Sequence, residues 1–216
     1  MPEKPPETSV RPRPRIESLS DLIFGLALSV GSLALVANPP RTGGALISDV
    51  ATFGFTFLIL ISVWFDYTRI MSVMPLNERR TVTLNTLLLF TVSLEPFLFL
   101  QLQASGISEA FFQVASQAYA VDLGLMMAIL ASFTGSLAVD STVHLEPRYR
   151  EGFRKESITR FVVAGIFFLS AVPVFGEYTV GIGSFHEPLR ILMWFAPALY
   201  AIHRRGREQD EHAARE

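Results

Sequence analysis

Residues 114–139 read VASQAYAVDLGLMMAILASFTGSLAV, with Asp122 as the one charged side chain in the run. Wound as an α-helix at 1.5 Å per residue, the run extends about 39 Å, enough to cross a hydrocarbon layer of roughly 30 Å. This block sets the class of the whole chain, because further blocks of similar character lie on both sides of it.

Before it come residues 20–37, which end in Asn38-Pro39-Pro40, then 50–67 with Asp49 just outside, then 82–102. After it come residues 158–174 and a shorter stretch, 189–202. Six such blocks predict an all-α integral membrane protein with six transmembrane helices, the last being the shortest. Composition agrees. Of 216 residues, 50% are hydrophobic and 18% charged, against about 25% charged in an ordinary soluble domain, and the mean hydropathy is +0.38. A soluble chain of this size needs more polar surface than that. The net charge of −2 gives no pull toward nucleic acid, and the lack of cysteine removes disulfides and thiolate metal sites.

The predicted organisation is a cytosolic tail over residues 1–19, a membrane domain over 20–203 and a second cytosolic tail over 204–216. The first tail is rich in Pro and Arg and is expected to be disordered up to Pro14. The first apolar block resembles a secretory signal in following basic residues. It is longer than the roughly 7–15 residues of a signal core, and Asp21 at its start is out of place in one. With six spans and the N-terminus inside, all Lys and Arg residues except Arg41 and Arg190 fall in or beside cytosolic segments. That bias fits an even number of spans with both ends cytosolic. The connecting loops leave no room for an enzymatic module, and no internal repeat is visible.

Several residues invite a chemical reading. Asp21, Asp66, Glu95 and Asp122 lie in or at the edge of apolar blocks. A charge at bilayer depth is costly unless it faces water or a partner, so each is a functional candidate. Asp21 and Asp66 fall near the cytosolic boundary. Glu95 and Asp122 either line an ion path or hydrogen-bond to neighbouring helices. His144, His186, His203 and His212 lie in loops or tails without metal-ligand spacing, and no nucleophile, phosphate-loop or paired-carboxylate pattern stands out. No enzyme, cofactor or metal site is therefore expected. On the first helix Leu22, Leu26, Ser29, Val30 and Leu33 share one face, while Phe24, Leu28, Gly31 and Leu35 form the other. Gly25 and Gly31 permit close packing. Both faces are apolar, and periodicity does not choose between them.

Residues 179–183, Thr-Val-Gly-Ile-Gly, are close to the TVGYG filter of ordinary potassium channels. Such a filter needs a re-entrant pore helix ahead of it. The fifth block ends near Val174, too close to Thr179 for one. The segment reads as a Gly-rich external turn.

Three motifs carry a family resemblance. Arg15-Ile16-Glu17-Ser18-Leu19-Ser20-Asp21 resembles the Arg-x-x-x-Phe-Ser-Asp signature that opens the first helix of the transmembrane protein 175 family, the lysosomal potassium channels and their prokaryotic relatives. Trp64 to Arg69 resembles that family's Trp-x-x-His-Thr-Arg, and Leu84-Asn85 through Pro96-Phe97 its Leu-Asn-x-Leu-Leu…Ser-x-x-Pro-Phe pattern. Leu19 stands where the family has Phe, and Tyr67 where it has His. The resemblance spans residues 15–100. It implies a potassium-permeable cation channel without a TVGYG filter, built as a homotetramer of six-helix subunits in a prokaryotic cell membrane, with potassium ions and the lipid bilayer as its partners. The pore would be lined by the first helix of each subunit, with Leu26 at the constriction, Val30 and Leu33 on the same face and Ser29 supplying a ring of hydroxyls. Arg15, Ser20, Asp21, Trp64 and Asn85 would form a hydrogen-bonded cluster near the cytosolic end. The competing reading is a secondary transporter or proton pathway that uses Glu95 and Asp122; a non-transporting membrane scaffold is a third.

Overall fold

The computed structural model of the chain describes residues 15–37, 42–75, 78–103, 107–140, 146–182 and 185–196. Five long helices dominate: α1 (Arg15–Ala37), α2 (Gly43–Met71), α3 (Arg79–Gln103), α4 (Glu109–Val139) and α5 (Pro147–Ser170). A single turn, α6 (Val174–Glu177), leads into a hairpin of β1 (Thr179–Ile182) and β2 (Phe185–Pro188), and residues 189–196 are again helical.

Helix boundaries differ from the sequence expectation for local reasons. α1 begins at Arg15, just after the last proline of the tail, so residues 15–19 belong to the helix and not to the tail. α2 begins at Gly43 and takes in Asp49. Ser108 caps α4 by accepting the Phe111 N–H at 3.2 Å. α5 starts well before Ile158 because Pro147 suits the first helical turn and the pairs Glu151–Lys155 and Glu156–Arg160, at 2.7 and 2.9 Å, support its charged half. It stops at Ser170 instead of Val174, since Pro173 cannot continue its hydrogen bonding. The remainder of the expected sixth span to Ile202, both tail segments 1–14 and 204–216, His144, His203 and His212 lie outside the described residues.

Three described helical stretches, Asp49–Met71, Arg79–Gln103 and Glu109–Val139, are long and apolar enough to cross a membrane, and Ser18–Leu33 is a shorter apolar stretch. α5 runs along α4, α4 lies against α3, and α3 lies against α1, which also meets α2. The α4–α5 contact is close at small residues. A Cβ added to Gly124 would come within 2.8 Å of the Phe168 ring, and one on Gly135 within 2.9 Å of Ser157 Oγ. Ser157 donates across the interface to the Ala131 carbonyl at 2.8 Å.

The burial pattern fits a lipid solvent. Leu87, Phe90, Phe97, Phe161, Val162 and Leu169 are exposed, while Ser20, Asn85, Glu95, Asp122, Arg160 and Arg190 are buried, as are Leu60, Leu88, Leu123 and Met126. In a bilayer the outer surface needs no polar cover, and polar groups gather where they find partners.

Candidate functional site

The first helix has two unequal faces. Ser20, Phe24 and Ala27 are buried against α2 and α3, and Gly31 lies against the Phe53 ring of α2. The opposite face is open: Leu22, Leu26, Val30 and Leu33 are 58, 55, 45 and 62% exposed. Ser29 is exposed with them and donates its hydroxyl proton to the Gly25 carbonyl at 2.7 Å. Its oxygen therefore presents lone pairs outward. Where the helical wheel left two apolar faces equivalent, packing separates them: the face containing Phe24 and Gly31 is turned inward, and the Leu26–Val30 face is left uncovered by the other described residues.

A polar clamp holds the start of α1. Tyr67 donates its hydroxyl to Ser20 Oγ at 2.7 Å, and Asn85 Nδ2 approaches the same oxygen at 3.4 Å. Trp64 donates its indole N–H to Asp21 Oδ1 at 3.1 Å. The Phe24 and Tyr67 rings stack at a tilt with centroids 5.6 Å apart. Trp64 and Tyr67 are three residues apart on α2 and so point to one side of it. Ser20, Asp21, Trp64 and Asn85 are thus together. Arg15 opens α1, but its side chain lies outside what the structure describes. Tyr67, which departs from the family's histidine, supplies the 2.7 Å bond to Ser20. Sequence reasoning did not assign it that role; the signal was its place on the same helical side as Trp64.

On the other side of the same α2 turn is an ion cluster. Arg160 donates to Asp66 at 2.8 Å and to Glu156 at 2.9 Å; Arg69 pairs with Glu156 and lies 3.6 Å from Asp66. Arg160 is almost wholly buried. The sequence had placed it among cytosolic loop charges, although its position directly before the apolar run Phe161-Val162-Val163 hinted at a buried role.

Glu95 and Asp122 are buried between α3 and α4, away from the open face of α1. Tyr119 donates to Glu95 Oε1 at 3.1 Å, and its ring lies between Phe99 and Trp194. Glu95 Oε2 and Asp122 Oδ2 have no hydrogen-bond partner among the described residues. Among those residues no group of three or more His, Cys, Asp or Glu is placed to hold a metal ion.

Arg190, expected at the non-cytosolic end of the sixth apolar block, is buried. Nε donates to the Ser170 carbonyl at 2.7 Å, Nη1 to Gln113 and to Ser116 Oγ, and Nη2 to the Val172 carbonyl at 3.3 Å. The Thr179–Ile182 segment is not the expected turn but a strand, antiparallel to Phe185–Pro188, with Val180 opposite Glu187 and Gly181 opposite His186.

The family model described as endosomal/lysosomal potassium channel TMEM175 matches residues 15–96, the segment that carries the clamp and the open face of α1. Among solved structures, a variant of the potassium channel MtTMEM175, crystallised with a nanobody–MBP fusion protein, is similar in fold. Its TM-score is 0.64 at 18% identity, with 98% of this chain and 100% of that chain covered. No curated protein sequence matches. Motifs, family model and fold point the same way: the chain resembles the TMEM175 family over residues 15–96 and shares its overall fold with a solved potassium channel.

Proposed function

We propose that the chain is one subunit of a potassium-permeable cation channel, a homotetramer whose pore is formed by α1 of each copy. The observation that carries this reading is the open face of α1. Leu22, Leu26, Val30 and Leu33 are uncovered while the reverse face is clamped by hydrogen bonds to α2 and α3. The likeness of residues 15–96 to the potassium-channel family model supports the nature of the activity.

In the assembly, Leu26 would form the narrowest ring, with Val30 and Leu33 following. A ring of aliphatic side chains sheds water and so restricts ion passage. Ser29, its proton committed to the Gly25 carbonyl, would offer an acceptor to a partly dehydrated cation. Conduction is passive and uses no TVGYG-type filter, no cofactor and no enzymatic step. The clamp of Ser20, Asp21, Trp64, Tyr67 and Asn85, with Arg15 at the helix start, would set the angle of the pore helix. The membrane domain would span residues 20–203 with six helices and both termini in the cytosol of a prokaryotic cell.

The test is potassium flux from liposomes holding the purified full chain. We expect flux above that of empty liposomes, and Leu26→Ala is expected to raise it. Flux equal to empty liposomes would remove the channel reading, and an unchanged Leu26→Ala would remove Leu26 from the constriction. A second reading rests on the buried Glu95 and Asp122, whose unpartnered oxygens suit a coupled transporter or proton pathway. It requires saturable flux that is abolished by Glu95→Gln and Asp122→Asn together.

A further inference from the structure

We propose that Arg160 is a positioning residue for the pore helix, acting through Asp66 on the α2 turn that grips α1. The inference rests on the channel reading above, and it extends the functional machinery to a residue outside the 15–96 segment that the family model matches.

The argument begins with the geometry of one helical turn. Trp64 and Tyr67 point to one side of α2 and bond Asp21 and Ser20 of α1. Asp66 and Arg69, also three residues apart, point to another side and meet α5. There the four side chains close a ring of alternating charge: Asp66 to Arg160, Arg160 to Glu156, Glu156 to Arg69, and Arg69 back to Asp66. α5 otherwise packs along α4, so this ring ties the α2 turn directly to the α4–α5 layer.

Burial decides which member matters most. The Arg160 side chain is 8% exposed, against 52% for Arg69 and 39% for Asp66. A pair with one buried partner is screened less than a surface pair and holds its geometry more firmly. Arg160 also uses a single nitrogen, Nη2, for both carboxylates, while its buried Nη1 has no partner among the described residues. One atom thus sets the spacing between Asp66 on α2 and Glu156 on α5. Loosening it frees the turn that carries Trp64 and Tyr67, and with it the stance of α1.

The experiment uses the full chain in planar bilayers with potassium chloride on both sides. Arg160→Met and Asp66→Asn are expected to change open probability at least about threefold while leaving unitary conductance as it is, because neither touches the pore face. Arg160→Lys, which can still bridge two carboxylates, is expected to stay near wild type. Arg160→Met combined with Tyr67→Phe is expected to change open probability by less than the product of the single effects, since both act through one turn. Unchanged open probability in Arg160→Met, or independent effects of the two substitutions, overturns the proposal. If Arg160→Met does not fold, Asp66→Asn carries the same comparison. The emission of Trp64, read in a Trp194→Phe background, separates this proposal from the channel reading. If the wild type carries no current, the channel reading falls, and the bridge is judged by that emission alone. A shift in Arg160→Met that is absent in Arg160→Lys supports the bridge, and identical spectra overturn it.

Discussion

Two buried arginines, one within α5 and one bonded to its C-terminal end, are accommodated by different physics. Arg160, near the charged half of α5, is neutralised by two carboxylates, Asp66 and Glu156. Arg190 pairs with no carboxylate among the described residues. It is surrounded by neutral acceptors: the carbonyls of Gln113, Ser170 and Val172, the side-chain oxygen of Gln113 and the Ser116 hydroxyl. Ser170 and Val172 sit at the C-terminal end of α5, where the helix dipole presents partial negative charge. One site satisfies charge with charge. The other satisfies it with oriented dipoles and requires the forked shape of the guanidinium. A cation at the first site is replaceable by another cation, whereas at the second the geometry of the donors is the requirement.

The largest expected effect tests that distinction. Arg190→Met strands several buried acceptors and is expected to cost more than about 3 kcal/mol, at roughly 1–3 kcal/mol per unsatisfied group. Arg190→Lys is expected to recover little, because one ammonium cannot replace donors directed at α4, α5 and the segment after it. Arg160→Lys should stay close to wild type. Thermal unfolding in detergent, followed by size-exclusion profile, makes the comparison; equal tolerance of lysine at both positions would break it.

A smaller effect is expected at Gly176. A Cβ there would lie 2.0 Å from Gln113 Oε1 and 2.7 Å from Arg190 Nη2, so the donors of Arg190 and the Gln113 bond to the Gly176 carbonyl at 2.9 Å must shift. Gly176→Ala is expected to cost about 1–3 kcal/mol, the range of overpacking in a tight site. Gly152→Ala, whose Cβ meets nothing within 4 Å, serves as the control in the same melting assay and should not destabilise.

The smallest effect concerns charge pairing in water. Glu151, fully exposed, is held below the ordinary carboxylate range by its hydrogen bond to Lys155. The sign follows from linkage: any stabilisation is present above the ordinary carboxyl value and is lost as pH falls through the lowered one. Solvent screening makes it small, so Lys155→Ala is expected to leave the melting temperature unchanged at neutral pH. A measurable drop would mean that charge pairing alone is stronger here than the contrast between Arg160 and Arg190 assumes.

The helices were legible in the sequence because each is a local matter: an apolar run, a cap, a proline. Ser20, Asp21, Trp64 and Asn85 were legible as motif positions, and the structure brings them together. Arg160 and Arg190 were not, because their burial depends on partners far along the chain, Asp66 for one and Gln113 for the other. A count of basic residues by side puts Arg160 with the cytosolic charges and Arg190 at the other end of the sixth block, and names a partner for neither. Tyr67 was legible as a departure from the family pattern but not as a donor, since its reach to Ser20 depends on the spacing of α1 and α2. The termination of α5 at Ser170 needed Pro173 to be weighed above the apolar run around it.

The hairpin carries a lesson about short ion-binding words. In a selectivity filter successive backbone oxygens all face one axis, and their shared direction replaces the water around a cation. Thr179, Val180, Gly181 and Ile182 are spelled like that filter but lie in an antiparallel pair. In such a strand neighbouring carbonyls point to opposite edges, and half of them are consumed by the partner. Writing tyrosine in place of Ile182 would perfect the spelling and still assemble no column of oxygens.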